Sequence, residues 1–297
     1  MVKEFAETVR KEVSKRAGFD VGLKEIAKNN GVSLHGLVMK CEEYNLSPTI
    51  YVEPYLEMYA SGTSVEKIAD WIMEAYQNSA RSVNLDMGFF RDYERVRKDI
   101  YCKTVSTKLN KDQLLHVPHV DFLDLSIVFF YRLVHKELGE ASIQINYEHM
   151  DMWGCTTEKL FSEAMENTVR REPYIMTDLG DFFRTYKKVP WDDVGNGLWV
   201  LTNKSMYYGA TCLFYPGVLE ETAGLFGEDF YIIPCSVHET LLLPQSIVDD
   251  GDVLKYMVYE VNRCCLDPEE ILSDSVYYYD RAKRKITILA GHLASAV

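Results

Sequence analysis

Cys235, His238 and Glu239 put a thiol, an imidazole and a carboxylate within five residues, in the string Pro234-Cys235-Ser236-Val237-His238-Glu239. These are the residue types of a cysteine nucleophile, in which the imidazole takes the thiol proton and leaves a thiolate near neutral pH. On a continuous strand the spacing works against that chemistry, because side chains alternate between faces and positions 235 and 238 point apart. Only a bend, which Pro234 and Ser236 permit, brings the pair together. Packing of the thiol in a sheet and catalysis by it are therefore both open, with packing the first expectation.

Two further constellations carry possible chemistry. His116, His119, Asp121 and Asp124 surround Pro118 and have the donor types of a divalent-metal set, which at this loose spacing needs a further ligand such as His149 or His238. Polar residues at the start of a strand are the simpler expectation, and neither a metal nor a cofactor is expected. His149 and Trp153, close to Met150 and Met152, offer large adaptable contact area. Tyr207-Tyr208 does the same within a chain of 20 tyrosines. These four are the candidate binding residues. The chain has no G-x-S-x-G, H-E-x-x-H or C-x-x-C sequence and no glycine-rich phosphate loop.

Composition narrows the partners. There are 32 basic against 45 acidic side chains, a formal charge of -13. The field that draws proteins to phosphate backbones or anionic lipid is missing, so nonspecific nucleic-acid binding is not expected. The basic cluster Arg91, Arg95, Arg97 and Lys98 is interleaved with Asp92, Glu94 and Asp99, as on a solvated helix face. Seven cysteines without paired spacing suggest a reducing compartment. No segment is long and apolar enough to span a membrane and the start is charged. A cytoplasmic location is the expectation.

The elements that must position these residues read as α+β, with mainly antiparallel sheets packed against helices. An N-terminal domain runs to about residue 112 and a C-terminal domain covers 113–297. Phe5, Val9 and Val13 mark an opening helix, Asn29-Asn30-Gly31 a hairpin turn, and Ser47 to Tyr51 a third strand or an extended entry to a helix. Thr63 and Glu66 fit a capping box ahead of Val65, Ile68, Ala69, Ile72, Met73 and Tyr76, the best helical period in the chain. Val120 to Val134 favours strand, Ala141 to Ile145 pairs back on it, and Gly154 closes a short helix before Thr156 caps the next. Residues 173–197 read as a weakly patterned connection. Leu198 to Thr202 and Ala210 to Phe214 read as strands, Leu219, Ala223 and Phe226 as one face of a helix, and Tyr231 to Ile233 and Thr240 to Leu243 as strands. Leu254, Met257, Val258 and Val261 line a last helix before a closing hairpin at Tyr277 to Tyr279 and Ile286 to Ile288.

The strings KNNGV, SPTIYV, VPHVDFLDLSIVFFY, HMDMWG, LTNKSMYYGATCLFYPGVLEE, IIPCSVHETLLLP and SDSVYYYD, in that order, resemble the bacterial family known as domain of unknown function 5688 (DUF5688) over nearly the whole chain. The segment Leu125 to Asn167 also resembles, more distantly, domain of unknown function 1444. Neither resemblance implies an activity or a catalytic residue; they imply fold boundaries and a bacterial or phage origin. With no catalytic signature, an acidic charge and many tyrosines, the chain reads as an interaction protein with a protein partner, such as an inhibitor or accessory factor. A thiol- or metal-assisted hydrolase centred on Cys235 and His238, and a small-molecule sensor or sequestering protein, are the alternatives.

Overall fold

The computed structural model describes residues 2–39, 49–78, 86–136, 139–188, 197–248 and 250–289. The fold is α+β with mainly antiparallel sheets, and the chain divides into two compact units. One comprises Met1–Arg91 with Arg132–Ile143, the other Asp92–Tyr131 with Gln144–Val297. Among the described residues no helix is long and apolar enough to cross a membrane.

In the first unit, α1 (Val2–Ala17) buries Phe5, Ala6, Val9 and Val13, a stripe of helical period on an otherwise charged segment. β1 (Val21–Ala27) and β2 (Ser33–Met39) pair antiparallel from Val21 opposite Met39 to Ala27 opposite Ser33. Asn30 turns the chain with φ 59, a left-handed conformation that asparagine tolerates. β3 (Thr49–Tyr51) adds to β2. After the short α2 (Leu56–Ala60), α3 (Val65–Asn78) closes the unit by burying Ile68, Ala69 and Ile72 against the α1 stripe, Leu37 and Met39. The helix is capped one residue later than the sequence suggests. The Ser64 hydroxyl, rather than Thr63, receives a first-turn amide, that of Lys67 at 3.4 Å.

The second unit carries the candidate residues. It begins with α4 (Tyr93–Val96), β4 (Ile100–Ser106), α5 (Lys111–Leu114), β5 (His119–Phe122), β6 (Leu125–His135) and β7 (Gly139–Gln144), of which β6 and β7 reach into the first unit's residues. β6 pairs with β4, β5 and β7. There follow α6 (Tyr147–Trp153) and α7 (Thr157–Arg171), capped by Thr156. α7 docks on β4 through polar contacts. The Cys102 amide donates to Thr168 Oγ1 at 2.9 Å, and the Asn167 amide donates to the Ile100 carbonyl at 3.0 Å.

A six-stranded sheet makes up the rest. Its strands are β8 (Tyr174–Asp178), β9 (Trp199–Asn203), β10 (Phe230–Ile233), β11 (Thr240–Pro244), β12 (Tyr277–Asp280) and β13 (Lys285–Ile288), in the order β13-β12-β10-β11-β9-β8 and antiparallel throughout. The helices α8 (Leu179–Phe182), α9 (Val218–Phe226) and α10 (Gly251–Cys264) complete the unit. Alternate residues serve the two faces. Phe230 and Tyr279 join Trp199 and the α9 residue Phe226 in a chain of ring contacts. Tyr231, Ile233, Leu243 and Tyr278 pack with Leu254 and Val258 of α10.

Three expectations are corrected here. Residues 173–188 are not an irregular connection, because β8 pairs with β9 and the Asp178 carboxylate caps α8 by accepting the Gly180 amide at 2.8 Å, and residues 189–196 lie outside the described residues. Gly209–Phe214 forms 3-10 turns, not a strand. The segment is buried on every side between β4 and β9, with Thr104 donating to Thr211 at 3.1 Å and the Cys212 thiol to the Thr202 carbonyl at 3.3 Å; a short apolar run without period looks the same in either conformation. On α10 the buried positions are Leu254, Lys255, Val258 and Asn262, while Met257 and Val261 face outward.

The turn between β5 and β6 is tied to the start of β12. Asp124 Oδ2 accepts hydroxyls from Ser273 at 2.6 Å and Ser275 at 2.9 Å, and Oδ1 accepts the Tyr277 phenol at 2.6 Å. Asp124→Ala leaves three hydroxyls without their acceptor and should lower stability by about 2–4 kcal/mol, against about 1–2 kcal/mol for Tyr277→Phe; denaturant titration checks the order. Burial also pushes the phenols of Tyr208, Tyr215 and Tyr277 well above the usual tyrosine range. Their neutral form is the one the fold favours. That stabilisation is whole below the ordinary tyrosine value near pH 10 and is lost as pH rises beyond it, when the unfolded chain releases protons the fold retains. A titration of phenolate absorbance should show exposed tyrosines ionising first and the buried set only with cooperative unfolding.

Candidate functional site

β9 ends at Asn203, whose side chain organises the turn that follows. Its Oδ1 accepts from the Ser205 hydroxyl at 3.1 Å and the Tyr207 amide at 3.2 Å, and its Nδ2 donates to the Tyr207 carbonyl at 2.8 Å. Met206 and Tyr208 are held left-handed, with φ 56 and φ 57, a conformation that costs a non-glycine residue about 1 kcal/mol or more and needs such anchoring. Gly209 then threads a tight passage. A Cβ at this position would overlap the Thr202 hydroxyl, the His238 carbonyl and the Asn203 amide, so the turn reaches the next segment only because residue 209 has no side chain.

That segment is the loop from Pro234 to Glu239. The Ser236 hydroxyl accepts the His238 amide at 3.0 Å and donates to Glu239 Oε1 at 2.7 Å, and the Ser236 amide reaches the Glu239 carbonyl at 3.2 Å. The loop is fixed from both sides. Thr202 Oγ1 donates to the His238 carbonyl at 2.8 Å and the Val237 amide to the Glu270 carbonyl at 2.9 Å.

The bend that Cys235 and His238 would need is present, and it directs them to different surroundings. Cys235 packs with Tyr231, Ile233, Leu241, Leu243 and the α10 side chains, and burial, with the Glu239 charge adding, pushes its thiol up to about 12. Among the described residues no hydrogen bond joins the thiol to an imidazole. The His238 ring instead meets Tyr207 and Tyr208, with centroids at 5.2 Å and 5.9 Å. Its Nδ1 accepts the Tyr208 amide at 3.2 Å and its Nε2 lies 3.5 Å from Glu270 Oε1. Nδ1 therefore acts as an acceptor, which a neutral ring with its proton on Nε2 satisfies.

Tyr208 is the inner ring of this group. It meets Phe130 edge-on at 5.5 Å, lies under the Lys103 ammonium at 5.2 Å, and takes the Tyr207 hydroxyl at 3.1 Å. Tyr207 is the outer ring, 4.1 Å from Tyr208 and 56% exposed. Its ring lies tilted against Tyr208 and His238 and its hydroxyl is hydrogen-bonded, while over half of the residue is open to solvent. The arrangement can present a rigid aromatic surface with a cation beneath it and Glu270 at its edge.

His149 and Trp153 occupy a different element and have structural partners. His149 closes a capping box on α6, donating its amide to Asn146 Oδ1 at 2.9 Å and accepting the Asn146 amide on Nδ1 at 3.2 Å. Burial lowers its pKa, in keeping with that acceptor role. Trp153 stacks on His149 at 5.7 Å and meets Tyr93 at 5.6 Å, just before Gly154 ends the helix with φ 61. Three of the possible metal donors are also engaged. His119 Nδ1 meets the Val117 carbonyl at 2.9 Å, Asp121 accepts the Ser126 hydroxyl at 2.7 Å, and Asp124 holds its three hydroxyls. Among the described residues no group of three or more His, Cys, Asp or Glu side chains is placed to hold a metal ion.

The model of a family of unknown function, DUF5688, matches residues 2–281. The chain belongs to DUF5688. No curated protein and no solved structure matches it. In this DUF5688 member the site joins residues from three distant parts of the chain: Lys103 and Phe130, Asn203 to Gly209, and Ser236 to Glu270. Sequence reasoning singled out Tyr207, Tyr208 and His238 separately and missed Lys103, Phe130, Asn203, Gly209 and Glu270. Only the glycine after a polar turn was a local signal.

Thiol reactivity checks the geometry. Cys264 and Cys265 are exposed, whereas burial pushes Cys212 and Cys235 up to about 12 and raises Cys102 further. Alkylation of the native protein near neutral pH should label Cys264 and Cys265 first, the half-buried Cys235 slowly because its thiol keeps its proton, and the buried Cys102 and Cys212 only on unfolding. The Cys235 rate should not change in His238→Ala.

Proposed function

We propose that this DUF5688 protein works by binding, as an interaction protein that engages a protein partner through the ring surface of Tyr207. The observation that carries this reading is a large, exposed aromatic side chain held in one position by its neighbours. Aromatic anchors of this kind supply much of the energy at protein interfaces, and a ring already immobilised loses little entropy on contact. The site's own chemistry favours this reading over hydrolysis, since the thiol sits in an apolar cluster with its proton held tightly and the imidazole is occupied by a backbone amide. The acidic charge of -13 favours a protein over a nucleic-acid partner. Unpaired cysteines, two of them exposed, favour a reducing, cytoplasmic setting.

Capture from a bacterial lysate with the full chain as bait tests the proposal. Proteins retained by the wild type should be depleted about tenfold or more with Tyr207→Ala, which truncates an exposed anchor worth about 1–2 kcal/mol or more, while the melting temperature barely moves. A set of retained proteins identical between wild type and Tyr207→Ala, or turnover of a substrate that His238→Ala abolishes, would count against it.

A further inference from the structure

Tyr208 and His238 approach the Tyr207 ring from the same side. The three ring centroids form a triangle with sides of 4.1, 5.2 and 5.9 Å, so the two neighbours stand less than a right angle apart as seen from Tyr207. The exposed part of the residue lies away from them. The inner ring already shows what this pair accepts, because the Lys103 ammonium rests 5.2 Å from the Tyr208 centroid, a cation drawn to the electron-rich face of an aromatic. Carboxylates frame the same surface. Asp267 to Glu270 make a turn closed by the Glu270 amide on the Asp267 carbonyl at 2.8 Å, and the Glu270 carbonyl accepts the Val237 amide of the His238 loop at 2.9 Å. Two of the turn's charges are not neutralised within the chain. The Glu270 carboxylate meets the His238 imidazole, whose Nδ1 accepts the Tyr208 amide, and a ring with an accepting nitrogen is neutral. Asp267 is exposed and forms no ion pair among the described residues. The Glu269 charge adds to the burial that pushes the Tyr208 phenol up, and Glu172 accepts the amide of Ser205 in the turn that carries Tyr207. Four carboxylates thus stand on the segments around the tyrosine pair, against the two cations Lys103 and Lys204.

We infer that the occupant of this surface is a basic segment of a partner protein, with an arginine stacked on Tyr207 and neighbouring cations set against the Asp267 to Glu270 turn. The inference rests on the binding role proposed above for Tyr207 and names the chemistry of what binds. Arginine fits better than lysine, since a planar guanidinium lies flat on a ring while its edge N–H groups donate to a carboxylate beside it. Glu270 is the acceptor placed for that bond, one ring away from Tyr207 across His238. An acidic segment would instead bring like charges to Asp267 and Glu270, and an apolar one would strip water from them and supply no donor. The formal charge of -13 acts in the same direction at longer range, drawing basic partners toward the chain. Because these charges are at the surface, the ring supplies the larger share of the contact energy and the carboxylates supply the selectivity.

Selection from a display library of random peptides tests this, with the full chain as bait and the Tyr207→Ala chain as the control bait. Peptides that the wild type retains and Tyr207→Ala loses should be enriched in arginine and carry net positive charge. For the tightest of them, Glu270→Gln should weaken binding about threefold or more, and Asp267→Asn combined with Glu270→Gln about fivefold or more. Both substitutions keep the shape of the side chain, and glutamine still accepts from the His238 ring, so the melting curve should not move. Raising salt should weaken the wild type more than the double variant, since the variant has lost the charges that salt screens. Tyr207-dependent peptides that are acidic or apolar would overturn the inference and leave the binding role of Tyr207 standing. Basic peptides whose affinity the double variant leaves unchanged would overturn it equally. A library that yields no Tyr207-dependent binder would overturn both this inference and the binding role on which it rests.

Discussion

The carboxylate of Asp124 accepts three hydroxyls, from Ser273, Ser275 and Tyr277, and so fastens the turn between β5 and β6 to the segment that enters β12. Asp124 is half-buried, and charge-assisted hydrogen bonds from fixed donors offset the hydration it gives up. The geometry must therefore be satisfied as a set. One end of the four-stranded sheet and one strand of the six-stranded sheet are held at the same point. The buried 3-10 segment Gly209–Phe214 fills the space between β4 and β9. Lys103 and Phe130, on the strands of the first sheet, then reach Tyr208 in the turn that follows a strand of the second.

Within that frame, the aromatic site is built by backbone more than by side chain. Asn203 folds the turn, Gly209 lets two main chains approach, and Ser236 closes the opposite loop on Glu239. The rings are placed by these constraints and then stack on one another. The imidazole contributes an acceptor for a backbone amide, so its role in the site is to hold Tyr208 in a left-handed conformation that a tyrosine would otherwise leave. Of the catalytic residue types, Cys235 packs in an apolar cluster, His238 accepts the Tyr208 amide and Glu239 accepts the Ser236 hydroxyl.

Much of this was legible in the sequence where the signal is local. The Asn29-Asn30-Gly31 turn, the α7 cap at Thr156, the Gly154 stop and the strands around Pro234 all follow from neighbours within a few residues. What was not legible depends on distance or on burial. Ala210 to Phe214 is apolar and short, and nothing in the run itself distinguishes a strand from a tight helix sealed between sheets. The stripe Leu254, Met257, Val258 and Val261 was correctly helical, but a broad apolar arc does not say which half the sheet will cover. The partners of Asp124 lie 149 to 153 residues away, and those of His238 about thirty, at separations where a single sequence carries no pairing signal.

The three consecutive tyrosines of β12 have distinct duties. Tyr277 reaches Asp124, Tyr278 on the other face donates to Asp229 at 2.6 Å, and Tyr279 packs its ring on Phe230. Identical side chains in a row are a hazard for a strand, because a shift of two positions puts the same shape on the same face and packing alone barely opposes it. Here the hydroxyls oppose it, since a slipped strand would strand the carboxylate of Asp124 away from Ser273 and Ser275 and that of Asp229 away from its phenol. The alignment of β12 is thus encoded in which oxygen the Tyr277 and Tyr278 phenols find, and a strand whose letters repeat still has one address.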